Sequence, residues 1–182
     1  MNALRARGRS VSRKSPEHLA AMREAGRRLR EVFQAVEERI GPGVRDSELD
    51  RLARERIERL GATPAFLGYK GYPATICCSI NEEVVHGIPT GRRIEEGDIV
   101  GIDIGLCWRG FFADAATTYP IGEVSDAARR LMRVTREALE LGIERMRADG
   151  RVGDVSAAIQ RHAEKHGYGV VRAFTGHGIG RA

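Results

Sequence analysis

"GIDIGLCWRGFFADAATTYPIG", residues 101–122, divides into two apolar, β-prone runs about a turn, a pattern that predicts a hairpin. An aspartate interrupts each run: Asp103 in the first and Asp114, eleven positions on, in the second. A turn at Trp108 and Arg109 would set the carboxylates directly opposite each other. One centred on Arg109 and Gly110 would make them diagonal neighbours on one face. A three-residue loop without a bulge would put them on opposite faces. Where they converge, two like charges about 5 to 8 Å apart repel unless one is protonated or a cation sits between them. Ile102, Ile104, Phe111, Phe112 and Ala113 leave little water to screen the pair, which favours the cation. Carboxylate oxygens suit divalent Mn, Fe, Co or Zn.

Upstream of the hairpin the sequence predicts two helices. Ser15 can cap the first, Pro16 suits its first turn, and Leu19, Met22, Leu29, Val32, Phe33, Val36 and Ile40 recur at helical spacing until "GPG". The second starts near Asp46, carries Leu49, Leu52, Ala53, Ile57 and Leu60 on one face, and ends at Gly61. After a loop comes the strand-like run "TICCSI". From Ser125 the order begins again: a helix to about Arg147, a turn, a helix from Asp154 to Lys165 closed by Gly167, and a strand over "YGVVRAFTG". Asp46 and Asp154 are 108 residues apart, and Gly61 and Gly167 are 106 apart. This spacing suggests a duplicated unit of helix, helix and sheet. The second unit has no hairpin before Ala182, which predicts an incomplete second half and an open, association-prone sheet edge.

Two histidines lie where they could join the carboxylates. "FTGHGIG" sets His177 among Gly176, Gly178 and Gly180, whose missing side chains allow close approach to a bound group. The plainer alternative is a histidine in a glycine-rich turn. A phosphate-cradling loop lacks its lysine and a helix to open. "SINEEVVHGIP" places His86 at a strand end before a turn, where it could be a third ligand, a proton-sharing group or an ordinary surface residue.

Composition bounds these readings. The 182 residues suit one ordinary domain, and 42% hydrophobic with 30% charged residues marks a globular chain rather than a disordered or fibrous one. No signal peptide or stretch of about 18 to 20 apolar residues stands out, so the expected location is the cytoplasm, without membrane contact. Cys77, Cys78 and Cys107 form neither a disulfide framework nor a zinc motif. The net charge of +5 resides in Arg5, Arg7, Arg9, Arg13 and Lys14, so residues 1–14 read as a basic flexible arm, solvated or touching anionic RNA or a ribosome surface. Residues 15–182 read as a single domain.

Taken in order, "SINEEVVHGIP", the aspartate pair of "GIDIGLCWRGFFAD", and "GHGIGR" with His177 sixty-three residues beyond Asp114 resemble the methionine aminopeptidases of the short bacterial type I class. The resemblance runs from about Lys14 to the end. It implies the α+β pita-bread fold, two related halves about a dinuclear metal centre, here with the second half incomplete. It implies that Asp103 chelates one metal ion, Asp114 bridges two, and His177 ligates the second, the ions being Co, Mn, Fe or Zn. His86 is then no ligand: it hydrogen-bonds the scissile amide and stabilises the tetrahedral intermediate. Tyr69, Tyr72 and Cys77 match positions lining the methionine pocket, while Phe66 stands where a cysteine is common.

The implied activity is removal of initiator methionine from nascent polypeptides by a protein that is a monomer when complete. Two of the family's five metal ligands are glutamates beyond "GHGIGR", so these 182 residues are expected to bind metal weakly and turn over slowly or not at all. The alternatives are a non-catalytic module of the same fold near the ribosome and a proline-specific peptidase.

Overall fold

The hairpin forms with Arg109 and Gly110 as its two-residue turn, at φ 49° and 78°, the paired left-handed conformation whose twist matches the strands it joins. The structure, a computed structural model, describes residues 13–181. The basic arm expected over residues 1–14 therefore falls almost wholly outside the described residues.

The elements in chain order are helix α1 (Pro16–Arg39), helix α2 (Asp46–Arg59), a two-residue strand β1 (Thr63–Pro64), a short 3₁₀ turn (Tyr69–Gly71), strands β2 (Ile76–Ile80), β3 (Ile99–Trp108) and β4 (Phe111–Pro120), and helices α3 (Asp126–Glu144) and α4 (Val152–Lys165). Ser15 caps α1 by accepting from the His18 N–H, as its position predicts. Asp46 opens α2, but the preceding residue, Arg45, is its N-cap. The Asp46 carboxylate is instead buried and accepts from the Thr90 and Gly91 N–H groups, tying the loop before β3 to the helix. Helix α4 begins two residues before Asp154, which serves as the third residue of a capping box.

The sheet is antiparallel, with β3 central, β4 along one side, and β1 and β2 in succession along the other. Alternation along β3 divides its side chains cleanly. Val100, Ile102, Ile104 and Leu106 are fully buried among the residues of α1 and α2, with Ile76, Cys78 and Ile80 of β2 beside them. Gly101, Asp103, Gly105 and Cys107 point to the other face. Burying this helix-facing stripe is what fixes the register, because a slip of one residue would turn the isoleucines out and the aspartate in.

One expected element is absent. Residues 168–176 form no strand and pair with none of the strands among the described residues. The duplicated plan is thus seen as two helix pairs, α1–α2 and α3–α4, with a sheet only in the first unit among the described residues. Beyond Phe112 the outer edge of β4 has no strand alongside it among the described residues, in line with the open edge that the sequence predicts. No helix among the described residues is long and apolar enough to cross a membrane.

Candidate metal centre and substrate cleft

The turn at Arg109 and Gly110 selects between the registers left open above. Gly105 faces Asp114, and Asp103 faces Ala116, so the aspartates are diagonal neighbours on the face away from α1 and α2. Glycine flanks Asp103 two residues away on either side of that face. At Gly105 the space is occupied: a Cβ there would come within 2.6 Å of the Phe66 ring. Phe66, reaching in from the loop after β1, thus seals the sheet beside the acid pair. Cys77 lies directly across from Asp103 on β2 and is buried.

The electrostatics of this face suit a bound cation. Burial first, then the charge of Asp114 and hydrogen bonding with it, push the Asp103 carboxyl up to about 7, with His177 opposing. Its Oδ1 is buried without a hydrogen-bond partner. An orphaned buried carboxylate oxygen beside a second carboxylate is a donor set suited to a hard or borderline divalent ion. Burial also raises the Cys77 thiol; a hydrogen bond with Tyr72 opposes this, and the charges of Asp103 and Asp114 add to it. Tyr72 is pushed well above the ordinary phenol range, mainly by burial and then by its contact with Cys77. Both groups therefore remain neutral at physiological pH.

His177 reaches Asp114 by way of the C-terminal segment. The Phe112 N–H donates to the Gly180 carbonyl at 2.8 Å, and the Arg181 guanidinium lies 4.9 Å from the Phe111 ring centroid. These contacts seat the glycine-rich segment beside the start of β4. His177 Nδ1–H donates to the Gly178 carbonyl (3.2 Å), and Nε2 lies 4.0 Å from Asp114 Oδ2. The ring is 70% exposed and is not enclosed by protein.

His86 stands across the cleft. It adopts φ 60°, a left-handed backbone seldom used by side-chain-bearing residues and frequent at functional sites. What holds it there is Gly87, whose carbonyl accepts from the Cys78 N–H and from the Tyr72 hydroxyl, and whose N–H donates to Ser79 Oγ. A Cβ at position 87 would fall 2.2 Å from the Cys78 carbonyl oxygen. The His86 ring packs edge-on against Phe174, with centroids 5.5 Å apart. Together with Asp114 and His177, these two residues line an open cleft of about 560 Å³, whose apolar wall is completed by Val85 and Ile179.

The structure thus gathers His86, Asp114 and His177 at one cleft, with Asp103 and Cys77 behind Asp114. Tyr72 lies under the His86 loop, its hydroxyl bound to the Ile76 and Gly87 carbonyls. Tyr69, on the 3₁₀ turn, is 65% exposed and is not among the residues lining the cleft. Sequence reasoning missed Phe174 and Ile179 as cleft residues, although both flank His177 within the quoted "FTGHGIG". It missed Asp50 altogether, whose carboxylate accepts from the Thr75 and Ile76 N–H groups and fixes the start of β2.

Residues 20–182 match metallopeptidase family M24. A methionine aminopeptidase of Clostridium perfringens is 45% identical over 168 residues, covering 92% of this chain and 68% of that protein. The crystal structure of methionine aminopeptidase from Rickettsia prowazekii superposes with a TM-score of 0.93 at 39% identity, covering 95% of this chain and 70% of the other. An Xaa-Pro dipeptidase from Bacillus anthracis superposes at 0.80 with 24% identity, covering 92% and 46%, a likeness of fold alone. The fold is that of an M24 metallopeptidase of the pita-bread type, and the chain belongs to that family, within it to the methionine aminopeptidases. Divalent metal is accordingly part of its chemistry.

Proposed function

We propose that this chain removes the N-terminal methionine from nascent polypeptides, with Asp103, Asp114 and His177 as metal ligands and His86 as the group that contacts the scissile amide. The observation that carries this reading is the buried, unpartnered Asp103 Oδ1 beside a second carboxylate, at a cleft flanked by His86 and His177. Two divalent ions of the Co, Mn, Fe or Zn class supply, when bound, the Lewis acidity that makes water nucleophilic near neutral pH and polarises a carbonyl. The chain's own residues do the rest. His86 has its ring on the cleft wall and can donate an N–H to the amide undergoing attack, where a well-placed donor is worth about 10²–10³ in kcat. The apolar cleft residues Val85, Phe174 and Ile179, with neutral Cys77 and Tyr72 as further pocket positions, suit an uncharged thioether side chain better than a charged one.

The same reading has the protein act as a cytoplasmic monomer, with the basic arm against the anionic ribosome surface. The 182 residues supply three of the five expected ligands, and His177 is exposed, so metal is held weakly and turnover is slow. Calorimetry with Met-Ala in the presence of Mn²⁺ or Co²⁺, alongside methionine release at high protein concentration, tests this. Metal-dependent binding of Met-Ala in preference to Xaa-Pro peptides, lost in Asp114→Asn and with any turnover reduced in His86→Ala, is expected. Equal binding without metal, or preference for Xaa-Pro, would overturn it.

A further inference from the structure

Away from the cleft, on the α3–α4 hairpin, "HAEKH" places His162 and His166 one helical turn apart on one face of α4. Glu137 reaches across from α3. His162 Nε2–H donates to Glu137 Oε2 at 2.9 Å, and the two imidazole centroids are 4.7 Å apart. Ligand atoms from all three side chains lie within 4.8 Å of one another, and each residue is only partly exposed. Among the described residues, no other group of three histidine, cysteine, aspartate or glutamate side chains is gathered this closely.

We propose that Glu137, His162 and His166 form a second, structural site for a borderline divalent cation, zinc foremost, separate from the candidate catalytic centre. Two neutral imidazoles and one carboxylate form a common tripod for zinc, which binds such ligands at about 2.0–2.2 Å and keeps a fourth position for water. Tetrahedral bonds of that length put donor atoms about 3.3 Å apart, so small rotations of these partly exposed side chains are enough to close the set. The cation would take the place of the proton now shared between His162 and Glu137.

Location adds a second argument. His166 is the C-cap of α4, where the helix dipole presents its negative end and favours a cation. The competing cations can move aside. Arg133, 3.7 Å from Glu137, is 67% exposed, and Arg130 is engaged by the His166 carbonyl and the Tyr168 ring and hydroxyl. The site also lies where a clamp would matter, since α3 and α4 pack chiefly against each other and stand outside the main core cluster.

Zinc titration of the 182-residue chain, with bound metal counted by elemental analysis after dialysis, tests the proposal. The Asp103→Asn/Asp114→Asn variant should retain one zinc equivalent and a zinc-dependent rise in Tm. The His162→Ala/His166→Ala variant should lose both, and Glu137→Gln should weaken binding at least about 10-fold. In the unaltered protein, zinc should protect His162 and His166, but not His18, from carbethoxylation, a readout that does not depend on any variant folding. Zinc uptake unchanged by the His162/His166 substitutions, or no protection at these two histidines, would overturn it and leave a simple His–Glu hydrogen bond between helices.

Discussion

Helices α1 and α2 and helices α3 and α4 repeat one plan, yet they live in different surroundings. The first pair closes over a sheet. Ala25, Leu29, Val32, Phe33 and Val36 of α1 and Leu49, Ala53 and Ile57 of α2 are all buried, against a stripe of β-branched residues on β2 and β3. The second pair buries only Val134, Ala138 and Gly142 of α3 and Ala158 of α4, while Leu139, Ile143, Met146 and Val152 are more than half exposed. Hydrophobic pattern alone makes a helix amphipathic in both cases, but a sheet is needed to turn that pattern into a rigid platform. The candidate site straddles the difference. Asp103 and Asp114 are held by the platform, whereas His177 hangs on the exposed segment that follows α4.

The sharpest way to break this comparison is a matched pair of truncations. Ile104→Ala, beneath Asp103 and fully buried, should cost about 2–5 kcal/mol in urea unfolding, whereas Met146→Ala, exposed just past the end of α3, should lie within about 0.5 kcal/mol of the unsubstituted chain. Equal losses would mean that the halves are packed alike. Gly87→Ala comes next. Its Cβ would collide with the Cys78 carbonyl, so a loss of about 1–3 kcal/mol is expected, along with displacement of His86 visible as a changed imidazole NMR signal.

A smaller and pH-dependent effect follows from Asp103. Its carboxyl titrates near 7 in the folded chain and near 3.9 when unfolded, so folding favours the protonated form. Its contribution is intact below about pH 4 and declines as pH rises through 7. Metal-free Asp103→Asn should therefore melt higher than the unsubstituted chain at pH 8, with the gap closing toward pH 4 and shrinking when Mn²⁺ is added. A gap independent of pH would show that the acid pair is not strained. Smallest is Tyr72→Phe, which deletes the hydroxyl bridging the Ile76 and Gly87 carbonyls. It should cost about 1 kcal/mol and speed hydrogen exchange in the His86 loop while leaving α3 and α4 untouched.

Much of the fold was legible. The periodicity of Leu29, Val32, Phe33 and Val36 marks a buried helix face in any surroundings, and Ser15 and Gly167 punctuate helix ends by local chemistry. The hairpin was legible too, but not its register, because sequence alone left three turn geometries open. The strand expected over residues 168–176 misled for a physical reason: β-propensity is realised only against a partner strand. In the site, Asp103, Asp114, His86 and His177 stood out as polar groups in apolar or glycine-rich contexts. Phe174 and Asp50 did not, since their roles consist of contacts with residues distant in the chain. Glu137 escaped notice because its histidine partners are 25 and 29 residues away on another helix.

By itself the sequence determined which residues could be helical, which could be strand, and which carried unusual chemistry, since propensity, capping and hydrophobic period act over a few neighbouring residues. Only the tertiary structure decided that Asp103 and Asp114 share a face, that His86 is held in a left-handed backbone across from them, and that Glu137 meets two histidines. Those are matters of register and close approach, set by burial of the β3 isoleucines under α1 and α2 and by carbonyl contacts that leave room for nothing larger than a hydrogen at Gly87.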